Sequence, residues 1–535
     1  MRRQAMLAGS IWRRFWDDRG DDARTVFSRS EPATDPGPTV HTLDRHGPLP
    51  IPVGVGSVLG LIEGDARRRE LAACAAFWGL GVDTFDSRRA RPWSLVAGSA
   101  DLVGSAEGIV EHVRGGGTAL LLVDDPASLR RCSEQFGIAV PGLARAPAPM
   151  RGPHFPADRA DLTGELAGSR LDIPCGRTWL TSDPTWHPLV LGTTGLDRLP
   201  LTVDRLVGDG RLVVSVLPTD VQSRVMDAIG AERGSGLLLV LMLLRRLAGD
   251  TAWHPPARLA NLTLDGPALR TGRLGLAYDR LASVASEHGL HVTVATIPGE
   301  LDLAQPAVVG TLRDRSDALS ACLLERPSPE PSGAAASRFA AERDLSLDPV
   351  LVLPRGPLPP EAMSDLWIGG MIACSSPRKR RPAPREIEGA DLGLRPAELS
   401  WGGFPLLWRR SIRDDGYLLD AFFGAPALFS CNPRDLVPGF EPLADLGARV
   451  SAGVGEVRWC GLGHVARHAY LQRRDPDRGW RVLMTGNEAC LHNPDPDRPR
   501  IYVVARPRLP PSWQVDDTIT VPAAGSVVVR VSRRR

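Results

Sequence analysis

Leu259-Ala-Asn-Leu-Thr-Leu-Asp-Gly-Pro267 decides how this chain is read. An apolar run of strand length ends in one carboxylate, Asp265, followed at once by a Gly-Pro turn. That pattern predicts a buried strand delivering Asp265 to its C-terminal end. A helical stretch, Leu276 to His288, comes next, and then a second apolar strand, Leu290 to Ile297, with His291 near its start. Further strands are expected near Ala307 to Leu312, at Val350 to Pro354, Gly370 to Cys374, Phe404 to Trp408 and Ala427 to Ser430. A covering helix is expected over 360–367, and a Pro-, Ser- and Ala-rich loop over 327–336. Strands and helices alternating across 257–475 predict an irregular (β/α) barrel, with its chemistry at the C-terminal strand ends.

Upstream, residues 51–250 carry an α/β rhythm of their own. Val53 to Ile62 reads as a strand, and Arg67 to Trp78 as a helix with Leu71, Cys74, Ala75 and Trp78 on one face. Val82 to Phe85 is the next strand. Gly108 to Arg114 is a helix, and Thr118 to Val123 is apolar throughout, as strands of a parallel sheet covered on both faces are. Asp124 and Asp125 offer a paired carboxylate, but Pro126 follows, so they are expected to cap a helix. Gly208 to Leu217 reads as a tight turn feeding a strand. Trp253-His-Pro-Pro256 is expected to be an extended linker, because consecutive prolines exclude helix. Residues 1–50 are expected to form a loosely attached arm. From 480 to 535, short β-type runs at Trp480 to Met484, Ile501 to Ala505 and Ser526 to Val531 predict a small antiparallel appendage.

Composition narrows the class. A chain of 535 residues is too long for one core, so two or three domains are expected. A net charge of +2 gives no reason to expect nucleic acid, and Lys379 is the sole lysine. The Pro-broken basic segment at 377–386 is expected to be a solvated loop. The basic N-terminus lacks the long apolar stretch and small-residue cleavage site of a signal peptide. The longest apolar run, Leu237 to Leu244, is far short of the roughly 20 residues of a membrane span, and Arg245 and Arg246 close it, so it reads as a buried helix. Eight scattered cysteines without a CxxC pair are expected to be core thiols. The expected location is cytoplasmic, with no membrane span.

The Asp265 strand, the helix after it and the strand from Leu290 resemble the opening of a polysaccharide-deacetylase (NodB-homology) domain. Residues 434–474 resemble the closing section of such barrels, so the likeness covers about 215 residues. Residues 51–250 resemble a class I glutamine-amidotransferase-type, flavodoxin-like parallel-sheet domain. Active members of that family carry a nucleophilic Cys in a strand-to-helix elbow, and no such elbow occurs here. The deacetylase resemblance implies amide hydrolysis, with a metal supplying hydroxide and a carboxylate taking the proton. In that family two adjacent Asp residues end the first strand, one acting as base and the other binding metal, with two His supplied later.

This chain has Asp265 followed by Gly266, and no histidine between His291 and His464. Asp265 is therefore the candidate catalytic base, with Asp302, Asp314 and Asp317 as candidate partner or binding carboxylates. His464 and His468, spaced i, i+4, are the alternative zinc pair, although Val465 stands where a metalloprotease helix has Glu. No cofactor is expected unless that pair holds a divalent zinc ion. The expected function is a carbohydrate-related homologue with eroded metal motifs that binds sugar or supports a polysaccharide pathway. The alternatives are an active deacetylase or glycosidase using Asp265, and a protein-interaction module working through residues 51–250.

Overall fold

The apolar runs pair into two large sheets in a computed structural model that describes residues 39–43, 58–88, 93–216, 238–271, 276–325, 342, 344–354, 366, 371–377, 398–399, 405–436, 438–475, 479–505 and 517–531. Most of the expected arm, the 327–336 loop, the 360–367 helix apart from Leu366, and the basic segment 378–386 lie outside the described residues.

The first sheet begins with four strands, β1 (Val58–Leu61), β2 (Gly81–Thr84), β3 (Leu95–Ser99) and β4 (Thr118–Leu122). They run parallel in the spatial order β2-β1-β3-β4. Five more strands extend the sheet: β5 (Arg151–His154), β6 (Arg170–Pro174), β7 (His187–Thr194), β8 (Asp197–Val207) and β9 (Gly210–Ser215). β9 pairs parallel with β4, so the parallel set has the order second-first-third-fourth-fifth. β8, β7, β5 and β6 then follow as an antiparallel extension that the sequence reading did not foresee.

Local chemistry explains the pieces. β4 is buried at every position, as its unbroken apolar run requires. The β8–β9 turn passes through Gly208 at φ +63°, where a Cβ would also lie 2.7 Å from the Arg114 carbonyl oxygen, so only glycine fits. Asp125 caps the helix Pro126–Phe136 by accepting from the Ser128 amide at 2.8 Å. Asp124 pairs instead with Arg67 at 2.6 Å, so only one of the two carboxylates is a cap. The helix Leu238–Ala248 is buried from Leu238 through Leu244, and Trp78 donates its Nε1–H to the Leu241 carbonyl at 2.8 Å.

The second sheet closes on itself. Its strands are β10 (Leu259–Asp265), β11 (Val292–Thr296), β12 (Leu319–Leu324), β13 (Leu347–Val352), β14 (Ala373–Pro377), β15 (Pro405–Ser411) and β16 (Ala427–Cys431). Each pairs parallel with the next, and β16 returns to β10 with Ala260 opposite Ala427 and Leu264 opposite Cys431. The result is a closed seven-stranded parallel barrel. The strand expected near Ala307 to Leu312 is instead a helix, Pro306–Asp314. Pro306 opens it at a position where a missing N–H costs nothing, and Val308, Val309 and Leu312 are buried along it.

Leu419, Phe422 and Phe423 of the barrel pack into the hydrophobic core of the first sheet. There the Trp78 ring meets Phe422 edge-on at 6.1 Å between centroids. The Trp253-His-Pro-Pro256 segment is pinned rather than free, since the His254 amide donates to the Gln472 carbonyl at 2.9 Å and the Gln472 amide returns the bond at 2.7 Å.

Beyond the barrel come β17 (Tyr470–Asp475), β18 (Gly479–Met484), β19 (Glu488–His492), β20 (Arg500–Ala505), β21 (Asp517–Val521) and β22 (Ser526–Val531). They form two small sheets, mainly antiparallel, although β18 and β20 run parallel. Thr39–Leu43, from the N-terminal arm, pairs parallel with β22. All eight cysteines are buried and unbridged, and no described helix is long and apolar enough to cross a membrane.

Candidate functional site

Period-two alternation sorts the barrel side chains. Ala260, Leu262 and Leu264 of β10 face outward, into a core shared with the surrounding helices. Leu259, Asn261, Thr263 and Asp265 therefore point inward. The inner core draws Leu259, Ala295, Cys322, Val350, Ala373, Leu407 and Leu428 from the seven strands in turn. One residue pair further along, the same alternation directs Ser375, Arg409 and Ser430 inward toward the C-terminal end.

Arg409 is the principal feature at that end. Its side chain is 0% exposed, and its Nη1 donates to Oδ1 of Asp265, whose side chain is 22% exposed. Among the described residues, the Nε and Nη2 of Arg409 are buried without a hydrogen-bond partner, as is the Ser375 hydroxyl on the neighbouring strand. A buried guanidinium is normally fully paired. An ion pair on the barrel axis, with donors left over, sits where parallel barrels place their ligand sites.

The N-terminal end is closed and polar. Asn261 donates through Nδ2 to Thr293 Oγ1 and to the Cys460 carbonyl, both at 2.8 Å, and accepts from Thr263 at 3.0 Å. The hydroxyls of Thr293 and Ser320 lie 3.0 Å apart, and Ser320 donates to Asp348 at 2.9 Å. The Leu462 amide adds a bond to Thr293 Oγ1 at 3.2 Å. Through these bonds the segment 460–469 is fastened across the barrel floor, and Leu462, Val465, Ala466 and Ala469 join the inner core. A cavity of ≈ 20 Å³ beside it, lined in part by Leu259, Val465 and His468, has room for about one water.

His464 and His468 belong to this floor, at the end of the barrel opposite Asp265. Their rings stack at 4.0 Å between centroids. His468 donates its Nδ1–H to the His464 carbonyl at 2.9 Å, since a carbonyl can only accept. Burial pushes His464 down to about 3, with the His468 ring adding to the effect, and pushes His468 down to about 4. His291 lies close by, lowered by burial and partly restored by Asp348.

The remaining candidates are dispersed. Asp302 is exposed just past the short helix Pro298–Leu301. Asp314, exposed at the end of its helix, pairs with Arg313 at 2.9 Å. Asp317 precedes β12 at the N-terminal end, where its carbonyl accepts from His291 Nδ1 at 3.2 Å while its side chain, 66% exposed, faces Arg315. The hydrogen-bonding partner of Asp265 is thus Arg409, a residue the sequence reading did not select.

Among the described residues the mouth assembles no ligand set for a divalent cation. The position the resemblance gives to the metal-binding Asp is Gly266 at φ +66°, where a Cβ would meet Leu324 Cδ2 at 3.1 Å. Left-handed backbone costs a side-chain-bearing residue about 1–2 kcal/mol. Asp265 already faces a cation in Arg409. Among the described residues no group of three or more His, Cys, Asp and Glu side chains converges as a metal site.

No protein-family model matches the chain, and no curated protein matches it. Among solved structures it is similar to the carbohydrate deacetylase Agd3, with 8% identity over 89% of this chain and 99% of that one, at a TM-score of 0.47. A β-galactosidase from Bacillus circulans sp. alkalophilus aligns over 36% of this chain and 31% of its own, with 12% identity and a TM-score of 0.23. The exo-β-1,4-mannosidase Op5Man5 from Opitutaceae bacterium strain TAV5 aligns over 31% and 32%, with 12% identity and a TM-score of 0.22.

Proposed function

We propose that this chain binds a carbohydrate at the C-terminal mouth of its barrel, around Asp265 and Arg409. It is read as an altered homologue of the deacetylase-like barrels that its first-strand segment resembles, working without their hydrolytic metal. The observation that carries this reading is the axial Asp265–Arg409 pair. A carboxylate and a guanidinium held side by side accept from and donate to vicinal hydroxyls, and charge-assisted bonds of this kind are the stronger ones. The loss of the second Asp to a strained glycine position supports the loss of metal chemistry. The first sheet is read as a flavodoxin-like, amidotransferase-like support. Its parallel strand order favours that reading, and burial pushes Cys132 up to about 12, which leaves it a poor nucleophile.

The full chain is to be titrated calorimetrically with a panel of neutral, acetylated and acidic oligosaccharides, with acetate release measured in parallel. Saturable binding that weakens at least about tenfold in Asp265→Asn, without acetate release, supports the proposal. Metal-dependent acetate release abolished by Asp265→Asn would replace it with the hydrolase alternative. Failure of every oligosaccharide to bind would remove the carbohydrate reading altogether.

A further inference from the structure

We infer that the ligand group recognised at the barrel mouth is a carboxylate, so that the favoured sugar is a hexuronic acid residue rather than a neutral or N-acetylated one. This deepens the proposed function and rests on it. Arg409 spends one N–H on Asp265, and the whole Nε–Nη2 edge is buried and unpartnered among the described residues. That edge is the planar fork whose spacing matches the two oxygens of a carboxylate. Its charge cannot be relieved by deprotonation, because a guanidinium keeps its proton in proteins. Burial leaves the N–H groups without water, so an acceptor delivered by a ligand gains more there than at the surface.

Ser375 supplies independent support. It points inward on β14, the strand next to Arg409, and its hydroxyl is also fully buried and unpartnered. A fork of N–H donors, with an unpartnered hydroxyl on the adjoining strand, suits an oxygen-rich anion better than a single carbonyl, which would satisfy one donor and strand the rest. Asp265, partly exposed where Arg409 is not, marks the side from which a ligand enters. Its bond to Nη1 fixes the plane of the guanidinium and so the direction in which the Nε–Nη2 edge faces.

The test uses the full chain and two probes that differ only in charge, digalacturonic acid and its methyl ester. Calorimetry should show the acid binding at least about tenfold more tightly than the ester. Arg409→Lys keeps the charge but not the fork, so it should weaken the acid at least about tenfold and the ester less, narrowing the gap between them. Equal binding of acid and ester by the unaltered protein overturns the inference while leaving the carbohydrate reading in place. So does an Arg409→Lys protein that binds the acid as before. Absence of binding by every oligosaccharide, neutral or acidic, overturns both. Should Arg409→Lys fail to fold, the comparison of acid with ester on the unaltered protein still decides.

Discussion

Replacing His464 and His468 together by leucine should remove a large part of the acid sensitivity of this fold. Both rings sit on the barrel floor with folded values of about 3 and about 4, against 6.5 for an unburied histidine. A lowered value means that the unfolded chain takes up protons the folded chain refuses. The stabilisation is complete above pH 6.5 and drains away as pH falls toward the folded values. At pH 5 each histidine lies about 1.5 units below its unfolded value and above its folded one. At 1.36 kcal/mol per unit that is about 2 kcal/mol each, or about 4 kcal/mol for the pair. The rings keep some contact with solvent, so a loss nearer 2 kcal/mol is the lower end expected. Urea unfolding followed by circular dichroism near pH 7.5 and pH 5 measures it. His112, His154, His254 and His291 are also lowered, each chiefly by burial, but they remain in both proteins and cancel in the comparison. The reasoning fails if the His464→Leu/His468→Leu protein loses as much stability between the two pH values as the unaltered one, within about 0.5 kcal/mol.

Two stability predictions test the architecture. Asn261→Ala removes three buried hydrogen bonds and frees the Cys460 carbonyl. It should cost about 3 kcal/mol or more and speed amide exchange across 460–469; a cost under about 1 kcal/mol would show that the floor segment is held by apolar packing alone. Trp78→Ala deletes a fully buried ring that packs on Phe422 and Phe423 and bonds Leu241. A loss of about 3–5 kcal/mol is expected, with exchange rising in the barrel helix Tyr417–Phe422 as well as around the mutated helix. Exchange confined to the first sheet would mean that the two units do not share a core.

Where burial was uniform, the sequence was easy to read. β4 carries an almost unbroken apolar run, β10 and β11 are buried with only Asn, Thr and a terminal Asp among their apolar residues, and the helix Leu238–Ala248 is too short to be anything but core. Where runs were short, periodicity failed. Ala307 to Leu312 has too few apolar residues to separate strand from helix, and Pro306 was the overlooked signal. The true strand, Leu319–Leu324, begins only five residues beyond that helix. The antiparallel strands β5 to β8 include Arg-Gly-Pro-His, whose Gly and Pro argue locally against any strand, and tertiary pairing overrides them.

The site was half visible for a different reason. Asp265 announces itself, being the one charge at the end of an apolar strand. Arg409 lies 144 residues away, just past the Trp408 at which the expected strand stopped. Carrying that strand through Ser411 and applying period two would have placed one of Arg409 and Arg410 inside the barrel and the other outside. The outer one, Arg410, finds Asp420 on the adjoining helix, which satisfies it locally. Among the described residues the inner one pairs with Asp265. A single charge committed to the axis must be balanced there or by whatever enters. It is this imbalance of donors, rather than any motif of consecutive residues, on which the proposed ligand site rests.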